Sequence, residues 1–77
     1  MTVSPNLTLD LKGKVCPDPI NDTAVALRDL AEGEVLEVFA TDPGAAEDFP
    51  VFCHMTRHEL LASELNDGVF RFLIRRG

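Results

Sequence analysis

Leu7, Leu9 and Leu11 alternate with Thr8 and Asp10, a period of two that predicts a β-strand with one buried face. Ahead of it, Ser4-Pro5-Asn6 favours a turn and nothing in residues 1–6 is patterned for burial. Those residues are expected to form a disordered arm, and 7–77 a single domain. Lys12-Gly13-Lys14-Val15 makes the connection, with Gly13 open to backbone angles that other residues avoid. From Pro17 the period changes. Ile20, Ala24, Leu27 and Ala31 follow at helical spacing, while Asn21, Asp22, Arg28, Asp29 and Glu32 take the other face. This predicts an amphipathic helix of about fifteen residues. Pro17 suits its first turn, where the missing N–H had no intrahelical partner. Asp18 complements the dipole, Pro19 is early enough to be tolerated, and Gly33 supplies the stop.

Glu34 to Ala40 alternates again, with Leu36, Val38 and Ala40 on one face and Val35, Glu37 and Phe39 on the other. Strand, helix and strand form a βαβ unit, so the two strands are expected to be parallel with a right-handed crossover. Thr41-Asp42-Pro43 then repeats a helix start, Asp42 as N-cap and Pro43 at the first helical position. Ala46, Phe49 and Cys53 fall at helical spacing, but Pro50 disfavours helical angles at Phe49. A kinked helix, or two abutting short ones, is expected to end near Thr56. Glu59 to Glu64 and Val69 to Arg76 read as strands joined at Asn66-Asp67-Gly68, a strong hairpin signal. The order β-α-β-α-β-β predicts an α+β fold, a two-layer α/β sandwich with two helices on one face of a four-stranded mixed sheet.

Composition narrows the class without altering this picture. The 77 residues are 45% hydrophobic and 26% charged, which suits one small globular domain rather than a disordered chain. A formal charge of −6 argues against direct nucleic-acid binding, since cations must displace the counterions of phosphates. Protein partners are expected, with the acidic surface either a solvated face or a docking feature whose rates depend on salt. The start lacks a basic segment followed by an apolar one, and no apolar run approaches the ~20 residues of a membrane span. A cytoplasmic protein with two free thiols is the expectation.

The candidate chemistry gathers at Cys16-Pro17-Asp18-Pro19. A cysteine at a helix start faces the positive end of the dipole and unpaired N–H groups, which favour thiolate. Lys12 and Lys14 act in the same direction, while Asp18 opposes them. A reactive thiol and an inert one both remain open on these grounds. With parallel first strands, Cys16 and Asp42 would share the carboxyl edge of the sheet, where open α/β sheets place their sites. Cys53, eleven residues past Asp42, would lie roughly 16 Å along the helix axis at ~1.5 Å per residue, beyond disulfide reach of Cys16. Among Phe49, Phe52 and Met55 it reads as a core residue.

No general base lies near Cys16 in the chain, and His54 and His58 belong to the far end of the second helix, which disfavours a Cys/His hydrolase. Cys53, His54 and His58 lack a fourth ligand, so no metal is expected, and no cofactor site is apparent. A thiol-disulfide oxidoreductase would want a resolving cysteine two residues away, which is missing. Thiol exchange and carriage of sulfur as a persulfide remain.

The stretch Leu9-Asp10-Leu11-Lys12-Gly13-Lys14-Val15-Cys16-Pro17-Asp18-Pro19-Ile20 resembles the Leu-Asp-x-x-Gly-x-x-Cys-Pro-x-Pro signature of the TusA/SirA family of sulfur carriers. Thr41-Asp42-Pro43, Phe49-Pro50-Val51-Phe52-Cys53 with His58-Glu59-Leu60, and Phe70 to Arg76 agree in order and spacing. The resemblance implies a βαβαββ sandwich in which Cys16 accepts sulfane sulfur as a persulfide and relays it. Gly13, Pro17, Asp18, Pro19 and Asp42 would be the positioning residues of the motif. It further implies a cysteine desulfurase or rhodanese-type sulfur donor, and an acceptor sulfur-relay protein serving tRNA thiolation, molybdenum cofactor assembly or sulfur oxidation. Lys14 and Asn21-Asp22-Thr23 depart from the family's usual apolar or basic residues. The alternative is a regulatory or protein-interaction module on the same scaffold, without sulfur transfer.

Overall fold

The computed structural model describes residues 4–15 and 18–77. Six elements follow in the expected order: β1 (Leu7–Leu11), α1 (Asp18–Arg28), β2 (Val35–Ala40), α2 (Ala45–Thr56), β3 (Glu59–Asn66) and β4 (Val69–Arg75). The strands lie in the order β1-β2-β4-β3. β1 pairs parallel with β2, and β4 runs antiparallel to both β2 and β3. Leu36 faces Ile74 and Val38 faces Phe72 across the β2/β4 ladder. All four are buried against the two helices, with Leu27 and Phe49 among the largest enclosed side chains. Phe49 stacks on Phe72 at 4.3 Å between ring centroids, and Phe70 stacks on Phe72 at 5.8 Å. Stacking of this kind adds about 1 kcal/mol per pair to the burial itself.

The open face of the sheet is held by a polar line that crosses all four strands. Thr8 donates to Glu37 (3.0 Å), and Arg71 donates to Glu37 through Nε (2.6 Å) and to Glu64 through Nη1 (2.8 Å). Arg75 pairs with Glu59 beside it. At the tip of the last hairpin, Asp67 and Gly68 both have positive φ, 51° and 78°. This is a two-residue type I′ turn, whose twist matches that of the strands.

Three local expectations are corrected. α1 ends at Arg28, short of the anticipated length. Asp29 and Leu30 donate to the carbonyls of Ala26 and Leu27, tightening the last turn, while Glu34 accepts the Ala31 N–H at 2.7 Å and donates its own to the Ala31 carbonyl. Ala31 is therefore exposed in a turn, and Gly33, at φ 88°, serves β2 by donating to the Arg76 carbonyl. α2 begins at Ala45, with Gly44 rather than Asp42 at its cap. The Asp42 carboxylate accepts the Gly44 N–H at 3.2 Å, so its side chain closes a turn over Pro43 in place of capping a helix there. Finally, of the two forms expected for α2, a kinked helix or two abutting short ones, the second is excluded, since one helix, Ala45–Thr56, contains Pro50. Phe49 is held at helical angles by complete burial against Phe72, a packing term that exceeds the local preference of the residue before proline.

Candidate functional site

At the carboxyl end of β1, Leu11 is buried and the chain turns at Lys12-Gly13. Gly13 has φ 86°, a left-handed angle open to glycine at little cost. Its N–H donates to the Thr41 hydroxyl at 2.8 Å. That bond ties the loop leading to α1 to the loop leading to α2, so the two loops share one edge of the sheet. Asp42 follows directly, its carbonyl accepting the Ala45 N–H at 3.0 Å. On the α1 side, the Asp18 N–H closes onto the Val15 carbonyl at 3.0 Å. Cys16 and Pro17, between them, lie outside the described residues. Val15 and Asp18 are exposed, whereas Pro19 is buried and anchors the first turn of α1.

The cations near the motif are engaged. Lys14 donates to Asp22 at 2.7 Å, and that hydrogen bond and charge hold the ammonium above its ordinary pKa. Lys12 lies 3.8 Å from Asp10. Their pull on a neighbouring thiol is thus offset by carboxylates. The polar stretch Asn21-Asp22-Thr23 divides in the fold: Asp22 holds Lys14, while Thr23 is fully buried in α1 with no hydrogen-bond partner for its hydroxyl.

Cys53 is buried on the inner face of α2, and burial pushes its thiol up to about 11. It is neutral and shielded at physiological pH, which suits the core role expected of it. His54 is exposed. His58 is partly buried, its Nδ1 accepts the Gly77 N–H at 3.1 Å, and burial lowers its pKa together with the nearby Arg76 charge. Among the described residues no three potential ligands converge on a metal site.

A second feature escaped the sequence reading. Ile20 of α1 and Glu47, Asp48, Val51, Phe52 and Met55 of α2 line an open groove of about 510 Å³. Met55, expected beside Cys53 in the core, is 76% exposed, and Val51 is 57% exposed. Val51 and Met55 are one helical turn apart on the side of α2 opposite Phe49 and Cys53. That spacing was visible in the chain, but two apolar rows on one helix do not reveal which is buried.

Comparison with known proteins places these observations. A family model described as Sulfurtransferase TusA matches residues 7–76. The crystal structure of a SirA-like protein from Desulfitobacterium hafniense superposes with a TM-score of 0.80 and 26% sequence identity, covering 92% of this chain and 97% of that one.

Proposed function

The chain belongs to the sulfurtransferase TusA family, and from that premise we propose that Cys16 carries sulfane sulfur as a persulfide and relays it to an acceptor protein. The observation that carries the proposal is the family match itself, which spans the Cys16-Pro17-Asp18-Pro19 motif. The bracing of the motif's flanks supports it: Gly13 is bonded to Thr41, and Asp18 closes onto Val15.

In the first step the Cys16 thiolate attacks the outer sulfur of a donor persulfide. A new S–S bond forms at Cys16, the donor's S–S bond breaks, and the donor leaves as a thiolate. An acceptor thiolate then attacks the outer sulfur on Cys16, which is released as thiolate in its turn. Neither step needs an external oxidant or reductant. Gly13, Pro17, Asp18, Pro19 and Asp42 are assigned to shaping the edge on which this occurs, with helix N–H groups favouring the anionic sulfur. A cysteine desulfurase or rhodanese-type protein is the donor class, and the acceptor is a protein of a sulfur relay. The reaction is assigned to the cytoplasm. No helix among the described residues is long and apolar enough to cross a membrane.

Incubation with a cysteine desulfurase and cysteine, followed by intact mass measurement, tests the proposal. One added sulfur is expected on the unaltered chain and on Cys53→Ala, and none on Cys16→Ala. No added sulfur on the unaltered chain would favour an interaction module that transfers nothing, and label lost with Cys53 would reassign the carrier thiol.

A further inference from the structure

The groove between α1 and α2 has no part in the chemistry of a thiol, yet it opens beside the first turn of α1, to which Cys16 leads. Its α2 wall carries Glu47, Val51 and Met55 in one row and Asp48 and Phe52 in the next, each at a spacing of four. Rows of this spacing are the ridges that another helix packs against. Residues 47 to 55 span about 12 Å at ~1.5 Å per residue, the length of about two helical turns.

Glu47 and Asp48, at one end of this surface, lie in the first turn of α2 and complement its dipole, but no cationic side chain among the described residues is paired with them. Lys12, Lys14, Arg71 and Arg75 are each ion-paired elsewhere, to Asp10, Asp22, Glu37 with Glu64, and Glu59. None of the ion pairs among the described residues involves Glu47 or Asp48. A second copy of the chain would bring the same acidic groove residues, and its net charge of −6 would oppose the approach. An anionic membrane surface is disfavoured for the same reason.

We propose that this groove seats an amphipathic helix of the protein that exchanges sulfur with Cys16, an aliphatic stripe lying on Val51, Phe52, Met55 and Ile20 and a lysine or arginine meeting Glu47 and Asp48. The proposal rests on the carrier function assigned to Cys16. It specifies the chemistry of the partner's contact segment, helix-in-groove recognition with a charge at one end to set direction.

The test uses the full chain, methyl and amide NMR, and three synthetic helical peptides of one length: leucine with lysine, leucine with glutamate, and serine with lysine. The leucine-lysine peptide is expected to shift the signals of Ile20, Val51 and Met55, and the other two to leave them in place. Val51→Ser/Met55→Ser and Glu47→Gln/Asp48→Asn should each weaken that binding about tenfold in a chain that still unfolds cooperatively, the second pair at a somewhat lower melting temperature because Glu47 and Asp48 complement the dipole of α2. Equal binding of the leucine-glutamate or serine-lysine peptide, or shifts centred on Glu59 and Glu64 of β3, would overturn the proposal. In parallel, Cys16 is loaded with inorganic polysulfide and weighed. Loading that stays intact in the groove variants while peptide binding maps elsewhere removes the groove alone. No loading of the unaltered chain removes the carrier function itself.

Discussion

The two faces of α2 carry similar side chains and meet opposite fates. Phe49 and Cys53 point into the sheet and are fully or almost fully buried, while Val51 and Met55, two residues further along in each case, stand in solvent. α1 shows the converse, since its polar Thr23 is enclosed and its apolar Val25 is 54% exposed. Burial in this small domain follows the direction in which the sheet lies, with residue type second. The apolar residues left outside on α2 are the ones that line the groove, so the same helix supplies the core with one face and a recognition surface with the other.

The sharpest way to break this comparison is to truncate one residue from each face. Phe49→Ala should cost about 4 kcal/mol in stability, from lost burial, the cavity left behind and the broken stack on Phe72. Met55→Ala should change stability by less than about 0.5 kcal/mol, as surface substitutions do. Urea denaturation of both variants measures the difference, and comparable losses would mean that the outer row is not free.

Alkali probes the inner face by titration. The folded Cys53 thiol ionises near 11, above its ordinary 9.0, because burial disfavours the thiolate. The unfolded chain therefore releases this proton first, and the contribution is complete below pH 9 and lost as pH rises through 11. Relative to Cys53→Ala, the unaltered chain should lose on the order of 2 kcal/mol of stability over that interval. Parallel stability curves for the two proteins would contradict the enclosure of Cys53.

The smallest effect tests the anomaly on α1. Thr23 has a buried hydroxyl with no partner, so Thr23→Val should keep the shape and gain about 1 kcal/mol. A loss of stability in thermal or urea unfolding would show that the hydroxyl is satisfied in solution.

Much of this fold is written locally. Leu36, Val38 and Ala40 announce a strand by their period, and Asn66-Asp67-Gly68 announces a hairpin because positive φ at two successive residues is tolerated there. The motif around Cys16 is likewise a matter of residue order, and the family it indicates is the one whose model matches the chain. These features depend on a few neighbouring residues, whose conformational preferences act whatever the rest of the chain does.

Other features depend on partners distant in sequence. α1 stops at Arg28 and Gly33 turns toward β2, where its N–H meets the Arg76 carbonyl 43 positions further along. Pro50 is accepted inside α2 because the Phe49 ring stacks on Phe72 of β4. The bond from Gly13 to Thr41 joins two loops that only the parallel pairing of β1 and β2 brings to the same edge. Sequence by itself determined the kinds of elements, their order and the thiol motif, because those arise from short-range backbone and periodicity effects. Only the tertiary structure decided that Met55, grouped with Phe49 and Cys53 on the sequence, would stand outside with Val51, since a helix apolar on two sides encloses one row only when the sheet packs against it.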